Sequence, residues 1–439
     1  MSTPLTAAVR LWGRDIAAVS WLAERDCAVF QYMPEFVASG IEVSPLSMPL
    51  RKAPYEFRSL SKDSFYGLPG LLADSLPDKY GSLLIDAWLA RQGRAPSSLN
   101  PVERLCYVGE RAMGALEFAP KMLDSLDAPM ELEIDALVHL ANDVLQERSQ
   151  LKGHFKDLED TAVMQQMIRV GTSAGGARAK AVLAIDERSG RFYSGQSSQI
   201  RGSEHVSHWL IKFDGVSNNR DKELADPQGY GRIEYAYSLL AGRCGIEMSE
   251  TRLFEEHQRA HFMIKRFDRD SEGRKIHMQS FAALKHFDFN MAGAYSYEML
   301  FQTMRELTLP LPQFEQQLRR CVFNIIARNQ DDHVKNFGFL MDKRGKWRLS
   351  PAYDVTYSYN PQGAWTSQHQ MSLNGKRDHF TLQDILAGVG LTDIKQLKAK
   401  RIIEQVQETI HSYWSLCADE ACVPLKTSKA IATTFRYLT

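Results

Sequence analysis

The sequence predicts an α+β protein with two lobes, preceded by a small α+β unit of its own. Its 439 residues are too many for one ordinary hydrophobic core. Strand-like runs and turns are frequent up to about residue 267, whereas helical spacing of apolar residues prevails afterwards. Strands followed by helices are typical of α+β proteins. We therefore expect units at residues 1–125, 126–267 and 268–439.

The first unit combines short strands with many turns. Ala28–Tyr32 is strand-like, and the segment Leu68–Gly81 is rich in Pro and Gly. An amphipathic helix is expected after this unit, because apolar residues follow at helical spacing, namely Leu137, Leu140, Ala141 and Val144.

The second unit begins with the glycine-rich segment GTSAGGARAK, Gly171–Lys180. A β-hairpin is expected next, formed by Ala181–Ile185 and Arg191–Tyr193 around a turn. Further along we expect a strand at His208–Phe213, a helix around Glu234, and a strand at His261–Phe267. The third unit is expected to be mainly helical, with apolar stripes at Phe314, Leu318, Cys321 and Ile325 and at Ile403, Val406, Ile410 and Trp414.

The composition is that of a soluble globular enzyme. Lys plus Arg and Asp plus Glu balance at 53 each, which argues against a protein that mainly coats nucleic acid. The six cysteines are scattered without a CxxC pair, so reduced thiols in the cytoplasm are expected. No apolar run approaches the roughly 18 residues of a membrane span, and the N-terminus lacks signal-peptide features.

The most informative segment is Asn329–Val355. Asp331 and Asn336 are five positions apart, which is the spacing of the Asp and Asn in the catalytic loop of protein kinases. Apolar runs on both sides of Asp342–Gly345 predict a hairpin that returns Asp354 to Asn336. Phosphoryl transfer needs an Asp that accepts the attacking hydroxyl's proton, and an Asn and a second Asp that hold Mg²⁺. The alternative is a polar surface hairpin with solvated acids.

Two weaker signals precede this segment in the order that a kinase requires. The glycines allow a backbone to approach phosphates, although the segment is neither a Walker A nor a GxGxxG motif, and an exposed turn is the alternative. Lys212 lies in an apolar strand and needs a partner, for which Glu234 is the candidate. A lysine at a sheet edge with a solvated ammonium is the alternative there.

Several motifs in this order resemble one family. The stretches GTSAGGARAK, WLIKF, RIEY, IKRFDR, DDHVKNF and SPAYD are similar to those of the HipA serine/threonine kinase toxins of bacteria. YMPEF, PLSMPL, LADSLPD and VGERAMGAL resemble the N-terminal subdomain of that family. The resemblance therefore runs over most of the chain, and it implies a two-lobed protein-kinase-like fold with an additional N-terminal subdomain.

The resemblance also implies roles for individual residues. Asp331 would be the catalytic base, preferred over Asp332 because of its spacing to Asn336; Asn336 and Asp354 would bind Mg²⁺. The backbone of Lys265–Phe267 would read adenine, with Asp268 near the ribose. The residues expected to bind ATP or border its phosphates are Gly175, Gly176, Ala177, Arg178, Ala179, Lys180, Lys212, Lys265, Arg266, Phe267, Asp268, His333, Lys335, Asn336, Tyr353 and Asp354.

Ser173 matches the family's autophosphorylated serine. A phosphate there would add about −1.5 to −2 charges beside the expected ATP phosphates, and we expect it to silence the kinase.

The family resemblance further implies partners. Its toxins phosphorylate an aminoacyl-tRNA synthetase, typically the glutamyl enzyme, which slows translation and promotes dormancy. A DNA-binding antitoxin, HipB, neutralises them on operator DNA. Two alternatives are a catalytically idle ATP-binding co-repressor and a small-molecule phosphotransferase. A degenerate kinase would be expected to have lost at least one of Lys212, Asp331, Asn336 and Asp354, and all four are present.

Overall fold

A computed structural model describes residues 6–95, 98–122, 131–150, 170, 178–194, 205–216, 220–221, 224–225 and 229–438. Ser173 and the glycines of the 171–177 segment lie outside these ranges, so the predictions made for Ser173, Gly175, Gly176 and Ala177 have no structural counterpart here. Among the described residues, no helix combines the length and the apolar character needed to cross a lipid bilayer.

The N-terminal unit is built on an antiparallel sheet. Alternating buried residues, such as Val9 and Leu11, place one face of this sheet on the core. In spatial order, the five strands found in the described part of the chain are Tyr55–Glu56, Cys27–Tyr32, Arg14–Leu22, Thr6–Leu11 and Leu116–Ala119. The helices of this unit are Pro34–Val37, Lys62–Phe65, Gly70–Ala73, Lys79–Arg91 and Pro101–Val108, with a 3₁₀ turn at Ala23–Arg25.

A second antiparallel sheet forms the predicted first lobe. Its described strands, in spatial order, are Thr251–Glu256, Arg259–Lys265, Val206–Lys212, Lys180–Asp186, Phe192–Ser194 and Glu131–Leu132. Two helices accompany it, Ile134–Gln150 and Tyr230–Arg243, together with a two-stranded ribbon, Arg220–Asp221 and Leu224–Ala225. The expected hairpin, both expected strands and the expected helices are therefore present.

The C-terminal part is mainly helical, as expected. Its helices are Phe281–Lys285, Tyr297–Glu306, Leu311–Ile326, Leu382–Val389, Gln396–Glu420 and Leu425–Ala432. It also contains a small antiparallel sheet, of which the sequence predicted only the hairpin. The strands of this sheet are His277–Ser280, Gly338–Met341 and Trp347–Leu349.

The hydrophobic cores do not follow the expected unit boundaries. The largest core joins the first sheet, through Phe30 and Phe118, to the C-terminal helices, through Phe323 and Trp414. Helix Tyr230–Arg243 contributes Tyr237 to the same core. The centres of the Tyr237 and Trp414 rings lie 5.3 Å apart. This helix therefore connects the two lobes.

A second core lies on the opposite side of the six-stranded sheet. Trp209 and Met263 from the sheet pack there with Leu137 of the following helix. Tyr80 and Leu84 of helix Lys79–Arg91 belong to this core as well. A helix of the N-terminal unit is thus buried against the first lobe, because its apolar residues find their cover there.

Helix Tyr230–Arg243 lies unusually close to the second sheet. Gly231 faces the carbonyl of Ala260, and a Cβ at position 231 would overlap that oxygen. Glycine at this position therefore permits the close approach that brings Glu234, one turn further on, to the strand of Lys212.

Candidate active site

Lys212 projects from the second sheet on the side away from the second core. Trp209 and Ile211 alternate with it along the strand and are fully buried in that core. The Lys212 side chain points the other way and is only 11% exposed. The alternation predicted from the sequence is confirmed, and it leaves a buried ammonium that needs counter-charges.

Two carboxylates supply these counter-charges. The Lys212 ammonium donates to Glu234 Oε1 at 2.5 Å and to Asp354 Oδ1. Burial opposes the charged form of Lys212, but the two carboxylates outweigh it and raise its pKa. The expected pairing with Glu234 is therefore present, and Lys212 remains protonated at neutral pH.

Asp354 sits in the left-handed region with φ of 51°, which a non-glycine residue adopts at some energetic cost. Burial acts to raise the pKa of its carboxyl, but Lys212 and then Lys180 oppose this and lower the pKa to about 2. The group is therefore an ionised carboxylate at neutral pH, as a metal ligand must be.

The segment with Asp331 and Asn336 follows the buried helix Leu311–Ile326 and is held by hydrogen bonds of its own. The Asp331 amide donates to Ser358 Oγ at 2.9 Å, and Asn336 Nδ2 donates to the Asp331 carbonyl at 2.8 Å. This second bond leaves the amide oxygen of Asn336 as the atom that can serve as a ligand. The indole of Trp365 donates to Asp331 Oδ1 at 2.6 Å.

The predicted hairpin is confirmed, and it brings Asp354 back to Asn336. Strand Gly338–Met341 pairs with Trp347–Leu349, and the Ser350 amide continues the pairing to the Gly338 carbonyl at 2.9 Å. Asn336 and Asp354 line one small cavity of about 20 Å³. The sequence-predicted trio of Lys212, Asn336 and Asp354 thus converges, with Asp331 attached to it through Asn336.

Asp332, the neighbouring acid, has a different environment. It is 1% exposed and accepts hydrogen bonds from the Tyr297 hydroxyl at 2.7 Å, from His369 Nδ1 at 2.8 Å and from the Gln370 amide at 2.7 Å. Its carboxylate is therefore committed to joining three segments of the C-terminal part. This agrees with the choice of Asp331, rather than Asp332, as the candidate base.

The donor set suits Mg²⁺ bound together with a triphosphate. Asn336 and Asp354 offer an amide oxygen and an ionised carboxylate, which are the ligands this hard cation prefers. No group of three or more His, Cys, Asp or Glu side chains that could hold a metal by itself occurs among the described residues. The remaining ligands would have to be phosphate and water oxygens, as is usual for Mg²⁺ at nucleotide sites.

The described end of the glycine-rich segment adjoins this site. The guanidinium of Arg178 lies 3.6 Å from the centre of the Tyr230 ring and 4.0 Å from Glu234 Oε2. The Ala179 carbonyl accepts from the Phe213 amide at 3.0 Å, and Lys180 begins the next strand. Their expected contacts with ATP remain predictions.

Two backbone amides of the segment expected to read adenine already donate hydrogen bonds within the protein. The Lys265 amide donates to the Glu250 carbonyl and the Arg266 amide to the His208 carbonyl, both at 2.8 Å. The Lys265 ammonium is exposed beside Glu250, at 3.2 Å. A nucleotide contact here would therefore use other backbone atoms, such as those around Phe267.

Asp268 and Arg266 form a buried network instead of facing solvent. Two nitrogens of Arg266 donate to the two Asp268 oxygens at 2.8 and 2.6 Å, and Arg269 and the Gly114 amide also donate to this carboxylate. Burial acts to raise the pKa of Asp268, but the two arginines lower it well below its usual value. This network connects the N-terminal unit to the C-terminal part. The sequence had suggested a contact between Asp268 and a ribose instead.

The three remaining predicted residues lie in or beside the segment from Asp331 to Asn336. His333 Nε2 lies 3.9 Å from Asp331 Oδ1. The Lys335 ammonium lies 4.5 Å from the centre of the Phe289 ring. The Tyr353 hydroxyl donates to the Lys335 carbonyl at 2.7 Å. These contacts are within the protein, and the expected roles of all three residues in ATP binding stay predictions.

Two residues near the site were not identified from the sequence. Trp365 contacts the carboxylate of Asp331, and Asp78 of the N-terminal unit contacts the Lys180 ammonium at 3.3 Å. Asp78 belongs to the LADSLPD stretch, which was noted only for its family resemblance. For Trp365 there was no sequence signal, since its partner lies 34 positions earlier.

Comparison with known proteins agrees with this architecture. The structure resembles that of HipA from Shewanella oneidensis, which was solved in a complex of HipA, HipB and operator DNA. The superposition covers 97% of this chain and 94% of that chain, with a TM-score of 0.65 and 16% sequence identity. The likeness establishes a shared two-lobed α+β fold of the protein-kinase-like HipA type.

Two sequence relatives match smaller parts of this chain. A Haemophilus influenzae protein, provisionally named a kinase, is 26% identical over 38% of this chain and 55% of its own length. The Sinorhizobium fredii protein Y4mE, also provisionally named a kinase, is 24% identical over 71% of this chain and 68% of its own length. The match thus spans only about half of the Haemophilus protein.

Family comparison covers both ends of the fold. The HipA N-terminal domain matches residues 7–119, and the HipA-like C-terminal domain matches residues 172–414. These ranges contain the first sheet apart from Thr6, the five strands of the second sheet between Lys180 and Lys265, and the segment from Asp331 to Asp354. The chain belongs to the HipA family.

Proposed function

We propose that this chain is an ATP- and Mg²⁺-dependent serine/threonine protein kinase that acts as the toxin of a HipBA-like module. The observation that carries the proposal is the convergence of Lys212, Glu234 and Asp354 beside the Asp331–Asn336 segment. A strand lysine paired with a helix glutamate, next to an ionised Asp and an Asn, is the arrangement that phosphoryl transfer from ATP requires.

Each residue has a distinct task in the proposed reaction. The Asp331 carboxylate, oriented by Trp365, accepts the proton of the substrate hydroxyl as its oxygen bonds to the γ-phosphorus. The bond between that phosphorus and the β–γ bridging oxygen breaks, and ADP leaves. Lys212 neutralises phosphate charge, and Glu234 keeps its ammonium in place. Mg²⁺, held by Asn336 and Asp354, would neutralise the charge that develops on the phosphate oxygens.

The finer assignments rest on family membership. The target would be an aminoacyl-tRNA synthetase, with the glutamyl enzyme as the first candidate. Phosphorylation of this synthetase would slow translation and favour dormancy and persistence. Ser173 would be the site of autophosphorylation. The partner would be a HipB-like DNA-binding antitoxin, through which the chain reaches operator DNA; the HipA of Shewanella oneidensis was solved in such an assembly. The protein would act in the cytoplasm.

One experiment tests the chemistry. The purified chain is incubated with ATP and Mg²⁺, with and without glutamyl-tRNA synthetase, and phosphate is counted by intact-mass measurement and mapped by peptide sequencing. We expect the native chain to transfer γ-phosphate from ATP to its own Ser173 and, in separate turnovers, to the synthetase. Asp331→Gln should do neither, because no carboxylate remains to accept the hydroxyl proton.

A matched control comes from the same hairpin. Asp342→Asn keeps the turn hydrogen bonds, in which Asp342 Oδ1 accepts from the Arg344 and Lys346 amides at 2.8 and 3.0 Å. This variant should gain phosphate as the native chain does. Equal phosphate gain by Asp331→Gln would contradict the catalytic assignment. Binding of ATP by a native chain that transfers phosphate to neither protein would instead favour an idle co-repressor.

A further inference from the structure

Two lysines face each other across neighbouring strands of the second sheet. Lys180 and Lys212 are direct partners in the antiparallel pairing of Lys180–Asp186 with Val206–Lys212. Residues directly opposite in such a pair project to the same side, with Cβ atoms about 5 Å apart. Like charges in this position repel each other, so each ammonium needs its own counter-ion.

The counter-ions come from different parts of the chain. Lys212 contacts Glu234 and Asp354, as described above. Lys180 contacts Asp78 of the N-terminal unit, with Nζ 3.3 Å from Oδ2. The side chains of this pair are only 3% and 5% exposed, so water screens their attraction weakly.

Asp78 is held firmly in place. It precedes helix Lys79–Arg91, and its Oδ1 caps this helix by accepting from the Gly81 amide at 2.6 Å. The helix is anchored in the second core through Tyr80 and Leu84. Burial raises the pKa of Asp78 to about 6 against the opposing effect of Lys180, so at pH 7.5 the group is a carboxylate.

Lys180 also acts on the proposed phosphate site. It lies directly opposite Lys212 on the same face of the sheet, and Lys212 contacts Asp354, the proposed Mg²⁺ ligand. The Lys180 side chain therefore belongs to the face of the sheet where we propose that the triphosphate binds. Asp78 neutralises this ammonium and places a negative charge where phosphate oxygens would be repelled.

We propose that Asp78 is a positioning residue: it is the counter-ion of Lys180, and through it the N-terminal unit limits the affinity of the site for the triphosphate of ATP. This inference rests on the proposed function, since it concerns the same nucleotide site. Removing the negative charge beside Lys180, a residue on the sheet face that carries the proposed phosphate site, should tighten ATP binding about tenfold. A variant that merely damaged the fold would weaken binding instead.

The test is calorimetric titration of the full chain with ATP and Mg²⁺ at pH 7.5. Asp78→Asn removes the charge but keeps an oxygen that can cap the helix. We expect its Kd to fall about tenfold, and Asp78→Ser, which also retains a capping oxygen, should behave alike. Asp86→Asn is the control, because Asp86 lies on the same helix and pairs with Arg104 at 2.8 Å within the N-terminal unit. Its Kd should equal that of the native chain.

A double-variant cycle separates a role through Lys180 from a local one. In a Lys180→Met background, a buried Asp78 without its partner stays protonated, so Asp78→Asn should change the Kd less than about twofold. Unchanged or weaker binding by Asp78→Asn in the native background, or equal tightening in both backgrounds, would overturn the inference. Failure of the native chain to bind ATP would overturn the proposed function together with it.

Discussion

The adjacent acids Asp331 and Asp332 should respond in opposite ways to the same isosteric change. Asp332→Asn should destabilise the fold, whereas Asp331→Asn should leave stability nearly unchanged and abolish phosphate transfer. The Asp331 side chain is 22% exposed, and its Oδ1 accepts a hydrogen bond from the indole of Trp365. An asparagine carbonyl can still accept this bond, so the loss should stay below about 1 kcal/mol.

Both oxygens of the Asp332 carboxylate accept hydrogen bonds. Oδ2 accepts from the Tyr297 hydroxyl and from His369, and Oδ1 accepts from the Gln370 amide. An asparagine offers one oxygen, so at least one buried donor would face an NH₂ group, and the bonds that remain would lose their charge assistance. Together these effects should cost about 3 kcal/mol. For a chain of 439 residues, this corresponds to a fall in Tm of about 3 °C.

The assay is thermal unfolding by differential scanning calorimetry, combined with phosphate incorporation measured well below Tm. We expect Asp332→Asn to lower Tm by the stated amount and Asp331→Asn to shift it by less than about 1 °C. If both variants shifted Tm equally, or if Asp332→Asn left Tm unchanged, the distinction between a buried structural acid and a catalytic acid would be refuted.

Three further predictions follow from the same contacts. Lys212→Met should lower phosphate incorporation at least about 100-fold by removing the charge that Glu234 and Asp354 hold in place, whereas Lys285→Met, which breaks a surface pair with Glu306, should match the native chain. Trp365→Phe removes the indole donor to Asp331, so turnover should fall about tenfold while the Kd for ATP stays constant; a change in Kd alone would contradict this assignment. Burial lowers the pKa of His277 to about 4, so the folded state keeps this histidine neutral while the unfolded chain binds a proton below about pH 6.5. Stability from this group is therefore present above pH 6.5 and lost as the pH falls towards 4, by up to about 3 kcal/mol. Urea unfolding at several pH values should show a shallower loss for His277→Gln than for the native chain, and no change for His139→Gln, whose side chain is 72% exposed.

Much of the site could be read from local patterns. Alternation along His208–Phe213 showed which way Lys212 must point, and the spacing of Asp331 to Asn336 marked the candidate catalytic segment. The turn at Asp342–Gly345 predicted that Asp354 returns to that segment, and the structure has this hairpin. The orientation of Lys212 and the hairpin were predicted correctly because they depend on local periodicity and on one turn, whereas the catalytic role of the segment stays a prediction.

Other expectations depended on contacts that no local pattern reports. The unit boundary near residue 125 gave no hint that helix Lys79–Arg91 is buried against the second sheet. Asp268 was expected near a ribose, yet Arg266, Arg269 and the Gly114 amide surround its carboxylate. The sequence also did not show how the environments of the neighbouring acids Asp331 and Asp332 differ. The structure distinguishes them, because Asp332 is buried.

Short-range spacing and side-chain chemistry were enough to predict many of the strands and helices, the order of the polar residues and the family. Contacts between distant charges became visible only in the folded chain. Asp78 reaches Lys180 across a domain interface, and Trp365 reaches Asp331 from a later loop. Such pairs form because burial removes water from both partners at once, and that depends on how separate elements pack.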